Sequence, residues 1–353
     1  MQRSQSAATI AEFMNILLLQ LKRIGDLILT LPAISAIRES FPDARLMLVA
    51  SNESAELLPA ISTVDRILIA HRNLRDAALF LAVARKRFNY CIDFTRNDRS
   101  AFLAFLSRAQ RRVVSYRVRD QSKTRARLYN EFVGNRMRDM HIIDYNLALV
   151  EPVGVRNASR AVHLQLPQVA HEEANRLRRD FKVGNRFIVF HPGSARIEKF
   201  WDAMRWAEVI NHAGQNNDVD LVLTSGMSRL EQDHVIEIKT KTRMRIVDLS
   251  GRTDLLALAA LIAQADLLVT VDSAPMHLAA ATQTPQVVLF GPTNPFHWRP
   301  RESPALILQG ESANPLTNFT PFQPRFPMSQ ISTEAVIGAM DSLRSPRVAT
   351  QTS

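Results

Sequence analysis

One cysteine, Cys91, in 353 residues excludes an intrachain disulfide and any metal site built on clustered thiolates. It sits in the apolar stretch NYCIDF, where a small core residue is expected. Long hydrophobic runs are missing too. The first apolar run, 16–19, is interrupted within a few residues by Lys22 and Arg23, which argues against a spanning helix or a cleaved signal and for a chain that stays in the cytoplasm. The nine histidines show no ligand spacing. The single DxD spelling, Asp218-Val219-Asp220, lies at the entrance to a predicted strand, the wrong end for a ligand site at a sheet edge, so no metal site is expected. No internal repeat or low-complexity tract is present. The second half lacks net charge, because residues 166–353 carry 19 Lys and Arg against 19 Asp and Glu.

The net charge of +10 therefore falls entirely in residues 1–165, which hold 25 basic and 15 acidic side chains. Ten of the basic ones (Arg96, Arg99, Arg108, Arg111, Arg112, Arg117, Arg119, Lys123, Arg125, Arg127) crowd into 96–127 against Asp98 and Asp120. Such a run faces something anionic or is simply a solvated face. Nucleic acid fits poorly: the run has only Phe105 and Tyr116 near its middle instead of interleaved aromatics, and no nucleic-acid motif accompanies it. An anionic ligand or membrane surface fits better.

A chain of this length exceeds what one hydrophobic core usually supports, and 46% hydrophobic residues can fill two. Short apolar runs at 15–20, 45–50, 66–70, 90–94 and 112–116 alternate with helical patterns at 26–40, 73–88 and 98–108. A second series has strands at 186–191, 220–224, 245–249, 267–271 and 286–290, with helices at 170–182, 201–215, 228–240, 254–265 and 275–282. The rhythm predicts an α/β protein with two Rossmann-like parallel sheets facing each other across a cleft. Its domains would span 14–165 and 170–325, with a last helix at 331–344 packing back on the first domain and disordered ends, 1–13 and 344–353.

In such sheets ligands bind beyond the carboxyl ends of the strands, which selects three places. Asp272-Ser273-Ala274-Pro275-Met276-His277 follows one strand, with Ser273 placed as N-cap and Pro275 in the first turn, so the helix end suits a phosphate. A capped, buried helix is the plain alternative. His191-Pro192-Gly193-Ser194 through Lys199 follows another strand; its Gly-Ser turn admits close backbone approach and Lys199 supplies a cation, though such a loop is also a common surface turn. Lys22-Arg23-Ile24-Gly25-Asp26 follows the first strand, where Asp26 is either a helix cap or a general base, and Pro32 kinks or restarts the helix.

Taken together, NILLLQLKRIGDLILTLPAISAIRESFPDARLMLV, HPGSARIEKFW and VTVDSAPMHLAAATQTPQVVLFGPTNPFHW resemble glycosyltransferase family 9, the ADP-heptose:lipopolysaccharide heptosyltransferases, over about residues 14–300. The resemblance implies a GT-B fold and an inverting, metal-independent, cofactor-free transfer of heptose from ADP-heptose to the lipopolysaccharide inner core. Asp26 matches the catalytic base. Gly193, Ser194 and Lys199 match the donor-diphosphate loop. Asp272 matches a residue on the sugar hydroxyls, with Ser273, Ala274 and His277 lining the pocket and Arg252 bordering the base. Ala274 stands where many relatives carry Gly, and Glu231 falls near a ribose contact although its flanks do not align cleanly. Lys22, Arg23, Arg96 and Arg99 are the expected acceptor contacts, and the enzyme is expected at the cytoplasmic face of the inner membrane. Another nucleotide-sugar donor, or a nucleotide-sugar epimerase or hydrolase on the same scaffold, remains an alternative.

Overall fold

The computed structural model describes residues 14–344 apart from 74, 216 and 217; the predicted disordered tails fall largely outside these residues. Twelve strands form two six-stranded sheets among the described residues. The first holds β1 (Asn15–Gln20), β2 (Arg45–Ser51), β3 (Arg66–Ala70), β4 (Tyr90–Asp93), β5 (Arg111–Ser115) and β6 (Glu131–Val133), in the order β3-β2-β1-β4-β5-β6. The second holds β7 (Phe187–His191), β8 (Asp220–Leu223), β9 (Val247–Asp248), β10 (Leu267–Val271), β11 (Gln286–Phe290) and β12 (Ala305–Gln309), in the order β12-β11-β10-β7-β8-β9. Every pairing is parallel. Both orders are the doubly wound 3-2-1-4-5-6 arrangement, with its reversal between β1 and β4 and between β7 and β10.

The helices that cover the sheets in the first half are α1 (Ile24–Ile28), α2 (Leu31–Ser40), α3 (Asp76–Ala84), α4 (Asp98–Leu106), α5 (Arg117–Gln121), α6 (Lys123–Ala126) and α7 (Ile142–Ala148). Those of the second half are α8 (Gln168–Asp180), α9 (Ala203–Ala213), α10 (Arg229–Lys241), α11 (Leu255–Gln264), α12 (Ala274–Ala281), α13 (Pro295–Trp298) and α14 (Thr333–Arg344).

Strand β1 shows why the central strands read so clearly. Both its faces are covered: Leu17 and Leu19 join the core under α3 and α4, while Ile16 and Leu18 join the core under α2 and α7. That second core continues into the other half through Phe187, Val189 and Leu258, so apolar packing runs between the two domains. Leu18 is fully buried at this junction. Leu18→Ala should lower unfolding stability by about 2–5 kcal/mol, read as a fall in the urea midpoint.

The helical stretch over 26–40 is two helices, with Pro32 restarting it in the first turn of α2, one of the two outcomes expected of that proline. Two expectations change. Strands β6 and β12 were not expected. The last helix packs on the second domain and not the first: Val336, Ala339 and Met340 share a core with Ile188, Phe190 and Trp206, and the indole of Trp201 donates to the carbonyl of Ile331. Its buried residues, Ala335, Val336, Ala339 and Met340, recur at helical spacing along one face.

Candidate active site

At the reversal in the first sheet, the loops after β1 and β4 lie side by side, as the geometry of a doubly wound sheet requires. The β1 loop carries Lys22, Arg23 and Asp26, the last in the first turn of α1. Lys22 Nζ stands 3.7 Å from Asp26 Oδ1, and the carboxylate is one-fifth exposed. Burial raises the Asp26 pKa above the usual carboxylate range, against the opposing pull of Lys22. Burial likewise lowers that of Lys22, with Asp26 opposing. A carboxylate held this way is a stronger base than one in water.

The β4 loop begins with Asp93, whose carboxylate is fully buried and accepts from the backbone of Thr95 and Arg96 and from the hydroxyls of Ser100 and Tyr129. This anchor holds Arg96 at φ 65°, a left-handed conformation unusual for a side chain with Cβ. Arg96 is only 9% exposed, lies over the Tyr145 ring at 5.6 Å, and leaves Nε and Nη1 without hydrogen-bond partners among the described residues. Its charge acts on both Lys22 and Asp26. A buried cation with unused donors costs about 1–3 kcal/mol unless something else engages it, and an anion beside Asp26 would engage these. Arg23 is exposed at the start of α1. Arg99 is different: it is ion-paired with the buried Asp76, whose carboxylate also accepts from the backbone of His71 and Arg72. The pair ties α4 to α3.

At the second reversal, the loops after β7 and β10 meet in the same way. His191 closes β7 and bonds Thr224 through Nδ1 at 2.9 Å, while Thr270 donates to the His191 carbonyl at 2.9 Å, locking the strand ends together. Lys199 Nζ reaches across to Asp272, at 2.7 Å from Oδ2 and 2.9 Å from the backbone oxygen. The pair is 13% and 8% exposed. Ser273 occupies the N-cap position of α12, yet its hydroxyl donates back to the Val271 carbonyl at 3.3 Å instead of capping the helix. The helix is buried but not capped by Ser273, and among the described residues no side chain bonds the Ala274 N–H at its start. His277 is buried, with its pKa lowered by burial to about 4, so it is neutral near pH 7 and presents an unpartnered Nδ1.

The two rims touch. A Cβ on Gly25 would stand 3.3 Å from His277 Cδ2 and 3.6 Å from Nε2, so the glycine lets the Asp26 loop close onto the α12 loop.

Glu231 is the residue the sequence placed least well. Ser228 caps α10 by accepting from the Glu231 amide and donates its hydroxyl to the Glu231 carboxylate, which also accepts from the Gly226 amide at 3.4 Å and lies under Gly193. The signal that could have found it is the Ser228-x-x-Glu231 spacing. A Cβ at position 193 would stand 2.5 Å from Glu231 Oε1. Gly193→Ala should therefore push Glu231 aside and weaken nucleotide binding roughly tenfold by calorimetry, about 1.4 kcal/mol, with little change in overall fold. Ser194, 7% exposed, accepts from the Arg196 amide at 3.4 Å in the same loop. Arg252 is exposed and lies over the Phe181 ring at 5.1 Å, away from the Lys199–Asp272 pair in its contacts. Asp218 and Asp220 are engaged elsewhere, Asp218 with Arg186 and Arg344 and Asp220 with the Gly184 amide.

A family model described as glycosyltransferase family 9 (heptosyltransferase) matches residues 77–320. The chain belongs to glycosyltransferase family 9. It is a glycosyltransferase with the GT-B arrangement of two facing parallel sheets. Among curated relatives it is 27% identical to lipopolysaccharide heptosyltransferase 3 of Escherichia coli over 285 residues, covering 78% of this chain and 83% of the relative. Among solved structures it is similar in fold to the glycosyl transferase family 9 protein of Veillonella parvula, at TM-score 0.82 and 22% identity, covering 94% of this chain and 97% of that one. It is also similar to the E. coli ADP-heptose lps heptosyltransferase II, at TM-score 0.75 and 20% identity, covering 94% and 98%. The matched region of this family 9 chain includes the Gly193–Lys199 and Asp272–His277 loops and begins after Asp26.

Proposed function

We propose that this family 9 enzyme transfers heptose from ADP-heptose to a hydroxyl of the lipopolysaccharide inner core, with inversion at the anomeric carbon. The observation that carries the reading is the placement of Asp26 at one topological reversal and of the Lys199–Asp272 pair at the other, joined by the Gly25–His277 contact. The names of the relatives, which act on lipopolysaccharide or ADP-heptose, supply the sugar and the acceptor class.

In this reading the second domain holds the donor. The diphosphate lies against the Gly193–Ser194 turn, Lys199 and the first-turn amides of α12, while Asp272 and His277 face the heptose and Glu231 the ribose. Arg252 is the weakest of the donor assignments. Lys22, Arg23 and Arg96 take anionic groups of the acceptor. Asp26 removes the proton from the acceptor hydroxyl as its oxygen bonds to the anomeric carbon; the bond from that carbon to the diphosphate breaks, and ADP leaves with the electron pair. Charge growing on ADP is met by Lys199 and the helix end, so the reading assigns no role to a metal ion. The enzyme works at the cytoplasmic face of the inner membrane as a peripheral protein; no helix among the described residues is long and apolar enough to cross a membrane.

A thermal-shift panel of nucleotide-sugars tests the donor. ADP-heptose at a hundred times its Kd should stabilise the fold by about 2.7 kcal/mol. A larger shift with another nucleotide-sugar would replace heptose in the reading. Consumption or isomerisation of ADP-heptose without acceptor would replace transfer by hydrolysis or epimerisation.

A further inference from the structure

We propose that the outer face of the first domain, formed by α3 and α4, is a docking surface for an anionic lipid bilayer; this rests on the glycolipid-acceptor reading above and gives it a location on the molecule. Three large apolar side chains stand out of this face: Leu81, Phe102 and Phe105 are 48%, 44% and 55% exposed. They are not misplaced core. Leu79, Val83, Ala101, Leu103 and Ala104 of the same two helices are the buried ones, leaving Leu81, Phe102 and Phe105 on the opposite side. Phe80 meets Phe102 edge-on at 5.3 Å, which ties the two helices into one apolar patch. Contiguous exposed aromatics on a domain that already has a full core mark an interaction surface.

The charge around the patch selects the partner. The strands are parallel and the helices run back against them, so the chain leaves both α3 and α4 at the amino-terminal edge of the sheet, carrying Arg85, Lys86, Arg87 and Arg108. All four are exposed, and none has an ion-pair partner among the described residues. On the same side of the sheet, beside Tyr129 and Phe132, a cavity of about 430 Å³ is lined by Arg119, Lys123 and Arg127. The acids nearby are mostly neutralised: Asp76 by Arg99 and Asp98 by Arg125. Aromatic rings framed by long, unpaired cations suit the interface of an anionic membrane, where rings enter the acyl boundary and cations reach headgroup phosphates. The exposed apolar residues of α10, Leu230 and Ile236, lack this frame, since Arg229 pairs with Asp233 and Lys241 with Glu237.

The face is also continuous with the acceptor seat. Helix α4 starts two residues after Arg96, and its capping box between Asn97 and Ser100 fixes that start. A bilayer under α4 would bring a headgroup sugar to the rim that holds Lys22, Arg96 and Asp26 while its acyl chains stay in the membrane.

Flotation of the full chain with vesicles of phosphatidylcholine alone, or with about one-third phosphatidylglycerol, tests this; each cation near an anionic surface is worth about 1 kcal/mol. Binding to the anionic vesicles should be at least tenfold stronger. The double variant Phe102→Ser/Phe105→Ser and the double variant Arg85→Glu/Arg87→Glu should each lose at least tenfold in vesicle affinity, and Ile236→Ser none. All three should keep the wild-type thermal shift with nucleotide-sugar and wild-type turnover on a delipidated, soluble acceptor. Equal binding to neutral and anionic vesicles, or unchanged binding by both double variants, would overturn the proposal. Loss of turnover on soluble acceptor by the wild-type chain, with vesicle binding as expected, would instead strike the transferase reading and leave the membrane face standing.

Discussion

Asp26→Asn should lower kcat by about a hundredfold to ten-thousandfold, the range in which a positioned general base contributes, while donor affinity measured by calorimetry stays within about twofold. Asn keeps the size of the side chain and can hold the α1 turn, so the loss reads the base and not the loop. Because Asp26 needs its ionised form, and burial raises its pKa, the acid limb of the pH–rate profile should lie above the usual carboxylate range. Below that limb the carboxyl is protonated and transfer stops; above it transfer is full. His277, whose pKa burial lowers to about 4, is neutral near pH 7. Transfer by Asp26→Asn at wild-type rate would remove Asp26 from the mechanism.

The second large effect is expected at the buried ion pair. Lys199→Met keeps the bulk of the stem but leaves the carboxyl of Asp272, 8% exposed, without its cation. Breaking such a pair by removing one partner costs about 3–5 kcal/mol, which should appear as a lower urea midpoint. Losing the cation from the leaving-group side should also slow transfer by about a hundredfold to a thousandfold. The double variant Lys199→Met/Asp272→Asn separates the two roles: it should recover much of the stability but none of the rate, because the uncompensated charge is gone while the diphosphate remains unneutralised. If Lys199→Met unfolds like the wild type, the pair is not the anchor described here.

The central strands were legible because burial on both faces demands continuous apolar runs, as in NILLLQ and LLVTV. Strands β6 and β12 were not: β6 is three half-buried residues, and the apolar ALILQ of β12 sits amid proline-marked chain that reads as loop. The apolar pattern of α14 told which of its faces is buried but not against which sheet, since periodicity carries no address. The site divides the same way. Asp26, Lys199 and Asp272 were found because each follows a strand and bears the chemistry that a strand end can use. Their pairings were not: the Lys199–Asp272 bond joins residues 73 apart, and the Arg99–Asp76 pair joins two helices. Arg96 and Arg99 lie three residues apart with the same side chain, and only the fold shows that one pairs with Asp76 while the other lies over the Tyr145 ring.

The missing side chain at Gly25 also works as a gauge. Because a Cβ at Gly25 would stand 3.3 Å from His277 Cδ2, the loop that carries Asp26 and the loop that carries Asp272 are spaced there by direct contact, beside the apolar packing that also joins the domains. In a hybrid enzyme that joins this first domain to the donor half of another family 9 protein, the span from base to anomeric carbon would therefore depend less on where the chains are spliced than on whether the incoming half presents a ring of the same reach at the start of its α12 counterpart. A shorter residue there would let the halves settle closer, and a longer one would hold the base out of range of the hydroxyl it serves.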